Sequence, residues 1–153
     1  KKYKGVVYKR RETLKYSEAM NYLNTRSKPI DTQIMKEIDW TMNYYNGLKP
    51  KMFIAYDRTA FYSKEDSNLR ITFDKNVRFR NYDLELGKGS YGNLILDSGL
   101  CIMEIKILNS MPLWLSNALT QLKIYPSSFS KYGTAYAITK DKNLIKNGGM
   151  NCA

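Results

Sequence analysis

The sequence has no histidine and only two cysteines, Cys101 and Cys152, in 153 residues. Without histidine there is no Ser-His-Asp or Cys-His nucleophile arrangement and no imidazole metal site. Two cysteines are too few for a zinc cluster or a disulfide framework. Cys101 stands in an apolar run and reads as a buried thiol, and cytosol is the compartment expected. Long apolar runs are also missing: none approaches the ~18 residues of a membrane span, and no signal-peptide pattern is present. Negative charge is scarce, with 14 acidic residues against 25 basic ones and a net charge of +11. Such an imbalance points to polyanions: nucleic acid, an anionic membrane or phosphate compounds.

The length allows one domain with a real core. The 13 tyrosines suit a sheet-rich fold. The richest stretch is Lys51–Arg80. In Met52–Tyr62, Ile54, Tyr56, Arg58, Ala60 and Tyr62 alternate with Phe53, Ala55, Thr59 and Phe61. In Leu69–Asp74, Leu69, Ile71 and Phe73 make an apolar face opposite Arg70, Thr72 and Asp74, and Arg78 and Arg80 repeat the pattern around Val77 and Phe79. Period-two alternation of aromatic and β-branched residues predicts antiparallel strands. The polar face is cationic. It is either solvated or, in a sheet curled around it, in need of an anion, because an unpaired buried charge costs several kcal/mol.

Elsewhere the chain alternates short strands and helices. Lys1–Arg11 reads as a basic strand with Gly5, Val7, Lys9 and Arg11 on one face. Ser17–Asn24 reads as a short helix. A longer one is capped by Asp31 or Thr32, carries the stripe Ile34, Met35, Ile38, Met42 and Tyr45, and ends near Gly47. The segment GKGSYG near Lys88 superficially resembles a phosphate loop, but it lacks the spacing and the following helix, so 81–93 reads as a flexible loop or hairpin with a strand at Asp83–Leu86. Leu100–Ile107 is a strand with Glu104 and Lys106 on one face: a surface ion pair, or a metal ligand beside a phosphate ligand. Ser110–Ile124 reads as a helix with Pro112 in its first turn. A last helix starts at Ser127 or Ser128 and places Lys131 in its first turn, against the helix dipole; a bound anion would resolve that conflict, and a solvated lysine is the plainer reading. Residues 141–153 read as a polar, frayed tail after a domain spanning 1–140.

Five stretches in order resemble the VTC domain, the polyphosphate polymerase domain of the triphosphate tunnel metalloenzyme (CYTH-like) group. They are Tyr3–Arg11, Tyr56–Phe61, Leu69–Asp74, Met103–Lys106 and Ser128–Tyr132, with Pro112–Leu115 following the Glu-x-Lys strand. The resemblance implies an α+β fold: a closed antiparallel β tunnel, or barrel, flanked by helices, of which this chain carries the C-terminal portion. It implies that Arg58, Arg70 and Lys106 serve catalysis and bind phosphate, with Lys9, Arg11, Ser130 and Lys131 as further phosphate ligands. It implies that Glu104 holds a divalent metal, Mn²⁺ or Mg²⁺. The family's first strands, with a Glu-x-Lys-Tyr-type motif and an Arg-x-Arg strand, are not found here, so the expectation is an N-terminal truncation and a missing segment of the same domain as partner.

The function implied is transfer of the γ-phosphoryl of ATP to a phosphate or polyphosphate end. Positioning and electrostatics carry such a step, and no histidine base is needed. Two alternatives stand beside it: a triphosphatase on the same scaffold, and a non-catalytic basic module for polyanions. Nucleic acid is the less favoured ligand, since no RNP-like aromatic motif accompanies the Tyr/Arg interleaving. Eukaryotic relatives work at membranes, so a membrane-bound partner stays open.

Overall fold

The structure, a computed structural model, describes residues 2–4, 6–108 and 110–148. It divides into two units, Lys1–Lys49 and Pro50–Ala153. Among the described residues no helix is long and apolar enough to cross a membrane.

The first unit holds a small hairpin, β1 (Lys2–Tyr3) with β2 (Val6–Val7), then helices α1 (Tyr16–Thr25) and α2 (Gln33–Tyr44). The predicted single strand across Lys1–Arg11 is therefore a two-residue hairpin followed by irregular chain, and Lys9 and Arg11 are exposed outside any strand. Gly5 lies outside the described residues. Thr32 caps α2: its Oγ accepts the amide of Met35 at 3.2 Å and donates to Glu12 at 2.7 Å. Buried Tyr22 donates its hydroxyl to Asp39 at 2.9 Å, joining α1 to α2. Of the predicted stripe on α2, Met35 is buried while Ile38 and Tyr45 remain exposed.

The second unit is built on an open antiparallel sheet. Strand β3 (Phe53–Tyr62) pairs with β4 (Arg70–Arg80) along its length. The other edge of β4 is shared end to end by β6 (Ile102–Lys106) and β5 (Asn93–Leu94). Among the described residues this sheet does not close into the tunnel that the resemblance implied. Two helices complete the unit, α3 (Leu113–Gln121) and α4 (Lys131–Gly148). Pro112 precedes α3 instead of lying in its first turn, and the backbone of 141–148 continues α4 where a frayed tail was expected. Residues 149–153, including Cys152, lie outside the described residues. Cys101 is exposed, not buried, because the strand starts one residue after it.

A register shift in the β3–β4 pairing changes how the sequence pattern must be read. Arg58 faces Asp74 and Asp57 faces Lys75, but Ala55 faces Arg78. One extra residue is therefore accommodated in β4 near Asn76, whose φ of 48° is left-handed. Beyond the bulge the faces exchange. Val77 and Phe79 join the face of Arg70, Thr72 and Asp74, while Arg78 and Arg80 turn to the opposite side, with Phe53, Ala55 and Asp57. The expectation that Arg78 and Arg80 continue the row of Arg70 is thus incorrect, since an inserted residue inverts a period-two pattern.

Arg78 forms an ion pair with Asp57 at 3.2 Å. Arg80 is fully buried and lies between the rings of Phe53 and Tyr91, 3.6 and 4.3 Å from their centroids. Its guanidinium donates to the carbonyls of Asp83, Gly89 and Tyr91 at 2.9 Å each, and of Glu85 at 3.3 Å. Segment 81–91, expected as a flexible loop with a strand, is instead an irregular wrap around this cation with a single 3₁₀ turn at Leu86–Lys88. The wrap then re-enters the sheet at Gly92, where a Cβ would collide with the carbonyl of Phe79.

Because a buried cation whose three nitrogens all donate to carbonyls is costly to delete one-sidedly, Arg80→Leu should lower unfolding stability by about 3 kcal/mol. Chemical denaturation would measure the loss, and a change within error of zero would show that the wrap holds without it.

Candidate functional site

On β4, Arg80 apart, the polar face is the more deeply buried one. Thr72, Asp74, Val77 and Phe79 on it are all buried, whereas Phe61 on the other side is exposed and Ile71 and Phe73 are half-buried. The start of helix α4 meets the polar face. Its first residue, Lys131, reaches Asp74 and Glu104, and its Tyr136, Thr139 and Lys140 share a cavity with Pro50, Lys51 and Met52 before β3 and with Asn81 and Leu84 beyond β4.

Four charged groups meet beneath the start of α4. Asp74, fully buried, receives both Nε and Nη2 of Arg58, at 2.6 and 2.7 Å, and the ammonium of Lys131 at 2.7 Å. Glu104 receives Lys131 at 3.0 Å and, more loosely, Arg58 at 3.4 Å. The ring of Tyr56 sits 4.9 Å from the Arg58 guanidinium and 4.8 Å from the Lys131 ammonium, so one aromatic ring serves both cations. Ser130 caps α4, its Oγ accepting the amide of Gly133 at 3.1 Å.

The electrostatics follow from this geometry. The Arg58 hydrogen bonds hold the Asp74 carboxyl below its ordinary range despite burial, with Lys131 adding to the effect. Lys131 does the same for Glu104. Burial pushes the Lys131 ammonium down, but its bonds to Asp74 and Glu104 outweigh this and raise it. Arg58 is raised chiefly by its bond to Asp74. All four groups are therefore charged at neutral pH. Lys131 is therefore not the solvated lysine of the plainer sequence reading: two carboxylates offset its conflict with the helix dipole.

A second group of cations extends the same face. Arg70 and Lys106 are directly opposite each other in the β4–β6 register, next to the pair Thr72 and Glu104. Arg70 is half-buried with its guanidinium 5.8 Å from the ring of Tyr62, Lys106 is exposed, and neither has a carboxylate partner among the described residues. The structure thus gathers Arg58, Arg70, Glu104, Lys106, Ser130 and Lys131 on or beside one face. Lys9 and Arg11 belong to the first unit, where Lys9 lines a groove with Tyr8, Arg10 and residues of α2. Among the described residues no three of His, Cys, Asp and Glu form a metal-holding group.

Asp74 and Tyr56 are the members that sequence reasoning passed over. Asp74 was visible as the third polar residue of Arg70-x-Thr72-x-Asp74 on a face otherwise cationic, and the charge balance of a buried face required such a residue. Tyr56 shares its face with Arg58 by simple alternation.

The family model for the VTC domain matches residues 1–140. No curated protein and no solved structure matches the chain.

Asp74→Asn removes the charge that both cations share and should cost about 3 kcal/mol of stability. The pH dependence has a definite sign. Asp74 and Glu104, depressed in the folded state, contribute stability above pH ~4 that is lost as pH falls through their folded values, while Lys131, raised, contributes stability below pH ~10 that is lost as pH rises further. Thermal melting should therefore show a plateau between these limits and a fall on the acid side, and Asp74→Asn should flatten the acid limb.

Proposed function

We propose, from the premise that this chain belongs to the VTC-domain family and that the family is tied to polyphosphate, that its basic face grips a chain of phosphates and serves transfer of a nucleotide γ-phosphoryl onto a phosphate or polyphosphate end. The observation that carries this reading is the pairing of Arg70 with Lys106. Like charges directly opposite on neighbouring strands destabilise a sheet. A phosphate between them turns that repulsion into two charge-assisted hydrogen bonds, roughly 1.5–3 kcal/mol each.

The roles follow from where the groups sit. Arg70 and Lys106 have their charge uncommitted and bind phosphate oxygens. Arg58 is locked on Asp74 by two short bonds, so it presents a fixed guanidinium whose remaining edge faces Glu104. Lys131, at the first position of α4 beside the cap Ser130, can exchange a carboxylate for a phosphate without leaving the helix N-terminus, which itself favours an anion. Asp74 is saturated and fully buried, so it orients Arg58 and Lys131 and does not itself meet substrate. Positioned cations supply what phosphoryl transfer asks of a protein: the phosphates held in line and their charge stabilised.

A divalent cation fits this set in a limited way. Both Asp74 oxygens are used, whereas Glu104 is half-buried and one of its oxygens has only the 3.4 Å contact. One carboxylate together with phosphate oxygens is a common arrangement for Mg²⁺ and similar ions. When bound, such an ion would neutralise charge on the transferred phosphoryl. The closed tunnel of the family is the form proposed for the complete catalytic unit, in which the free edges of β3 and β6 pair with further strands.

The test is chain growth from ATP with inorganic phosphate and Mn²⁺, followed on gels that resolve polyphosphate. Growth is expected, and Arg70→Ala or Lys106→Ala should each lower it about a hundredfold. Release of phosphate without growth would favour the triphosphatase alternative, and full activity in Arg70→Ala would overturn the assignment of this face.

A further inference from the structure

One hydroxyl on the working face has no partner. Thr72 is buried, and its Oγ1 makes no hydrogen bond among the described residues. It stands between Arg70 and Asp74 on β4, opposite Ala60 on β3 and opposite Glu104 on β6. A buried hydroxyl without a partner is a cost that valine, the same shape and equally suited to a strand, would not incur. Thr72 is thus a locally unfavourable choice in the middle of a candidate site, where such choices tend to serve function.

The carboxylate opposite it is the loosely held one. Glu104 keeps Lys131 at 3.0 Å through Oε1, but Oε2 has only the 3.4 Å contact to Arg58, whose shorter bonds of 2.6 and 2.7 Å go to Asp74. Directly opposed residues in an antiparallel pair have Cβ atoms roughly 4.5–5.5 Å apart. A hydroxyl and a carboxylate at that separation can meet by side-chain rotation alone. Ala60, on the other side, offers Thr72 no polar group.

We propose that Thr72 is a positioning residue for Glu104, taking over the carboxylate when phosphate draws Lys131 away. In the structure Glu104 leans on Lys131 and the hydroxyl is left idle. When a polyphosphate engages Lys131, Asp74 keeps Arg58, but Glu104 loses its main partner. The Thr72 hydroxyl then donates to Oε2, holding the carboxylate on the sheet and directing its other oxygen toward the phosphate-bearing side. No bond other than hydrogen bonds changes. The idea rests on the phosphate-binding reading above.

The test compares the chain with Thr72→Val, Thr72→Ser, Glu104→Ala and the Thr72→Val/Glu104→Ala double variant, by thermal melting without ligand and by calorimetric titration with tripolyphosphate in Mn²⁺. Thr72→Val should melt no lower than the parent, yet bind tripolyphosphate about tenfold more weakly, the loss of one hydrogen bond to a charged group. Thr72→Ser should restore binding. In the Glu104→Ala background the valine should make no further difference, since coupled residues are non-additive. Undiminished binding by Thr72→Val, or a loss that persists without Glu104, would overturn the inference while leaving the phosphate site standing. Absence of binding by the parent chain would overturn both.

Discussion

A carboxylate with no water contact organises the second unit. Asp74 is placed by β4, and three other elements reach it or its neighbour: Arg58 from β3, Glu104 from β6 and Lys131 from α4. A buried anion cannot be left alone, because desolvation without compensation is far larger than the net stability of a domain of this size. Each cation that approaches it therefore has a fixed address, and the helix that brings Lys131 is docked by the same requirement. The face is cationic by composition, yet it is held together by its two acidic residues.

This arrangement distinguishes two kinds of positive charge on one sheet. Arg58 and Lys131 are balanced internally and so are rigid, raised in basicity and aligned before any ligand arrives. Arg70 and Lys106 have no carboxylate partner among the described residues, so their charge is open to an anion. A site made only of the second kind would repel itself apart; one made only of the first would have to give up a carboxylate contact for every anion it took. Preorganised charge next to uncommitted charge suits a ligand that must be both attracted and oriented, as a chain of phosphates must be.

Much of this was legible in the sequence, and the failures have physical causes. Alternation placed Tyr56, Arg58, Ala60 and Tyr62 on one face of β3, and Arg70, Thr72 and Asp74 on one face of β4, as the register shows. Ile71, Phe73, Val77 and Phe79 all stand at odd positions, with Lys75 the one interruption, so the bulge near Asn76 leaves little mark in the periodicity. Only the polar run Asp74-Lys75-Asn76, and asparagine's tolerance of left-handed backbone, hint that a residue has been inserted. The wrap around Arg80 was missed for a related reason. Its partners are backbone carbonyls, which carry no residue identity, so glycine-rich sequence there resembled slack chain. Pairings across long separations, such as Arg58 with Glu104, were unreadable without the family resemblance, because nothing local specifies which strands become neighbours.

The Arg80 wrap and the Asp74 cluster also differ in how far along the chain their partners lie. Every carbonyl that Arg80 engages lies within eleven positions of it, whereas Arg58 and Glu104 are 46 apart and Glu104 and Lys131 another 27. Closing short loops costs little chain entropy and happens fast; closing long ones costs more and happens late. The end of β4 and its return into β5 thus form a local unit able to organise early, and the ion cluster is the clasp that shuts last. A clasp formed after the main barrier governs how quickly the molecule comes apart more than how quickly it assembles. The group that gathers the candidate site's charges is, on this view, also the timer of its unfolding.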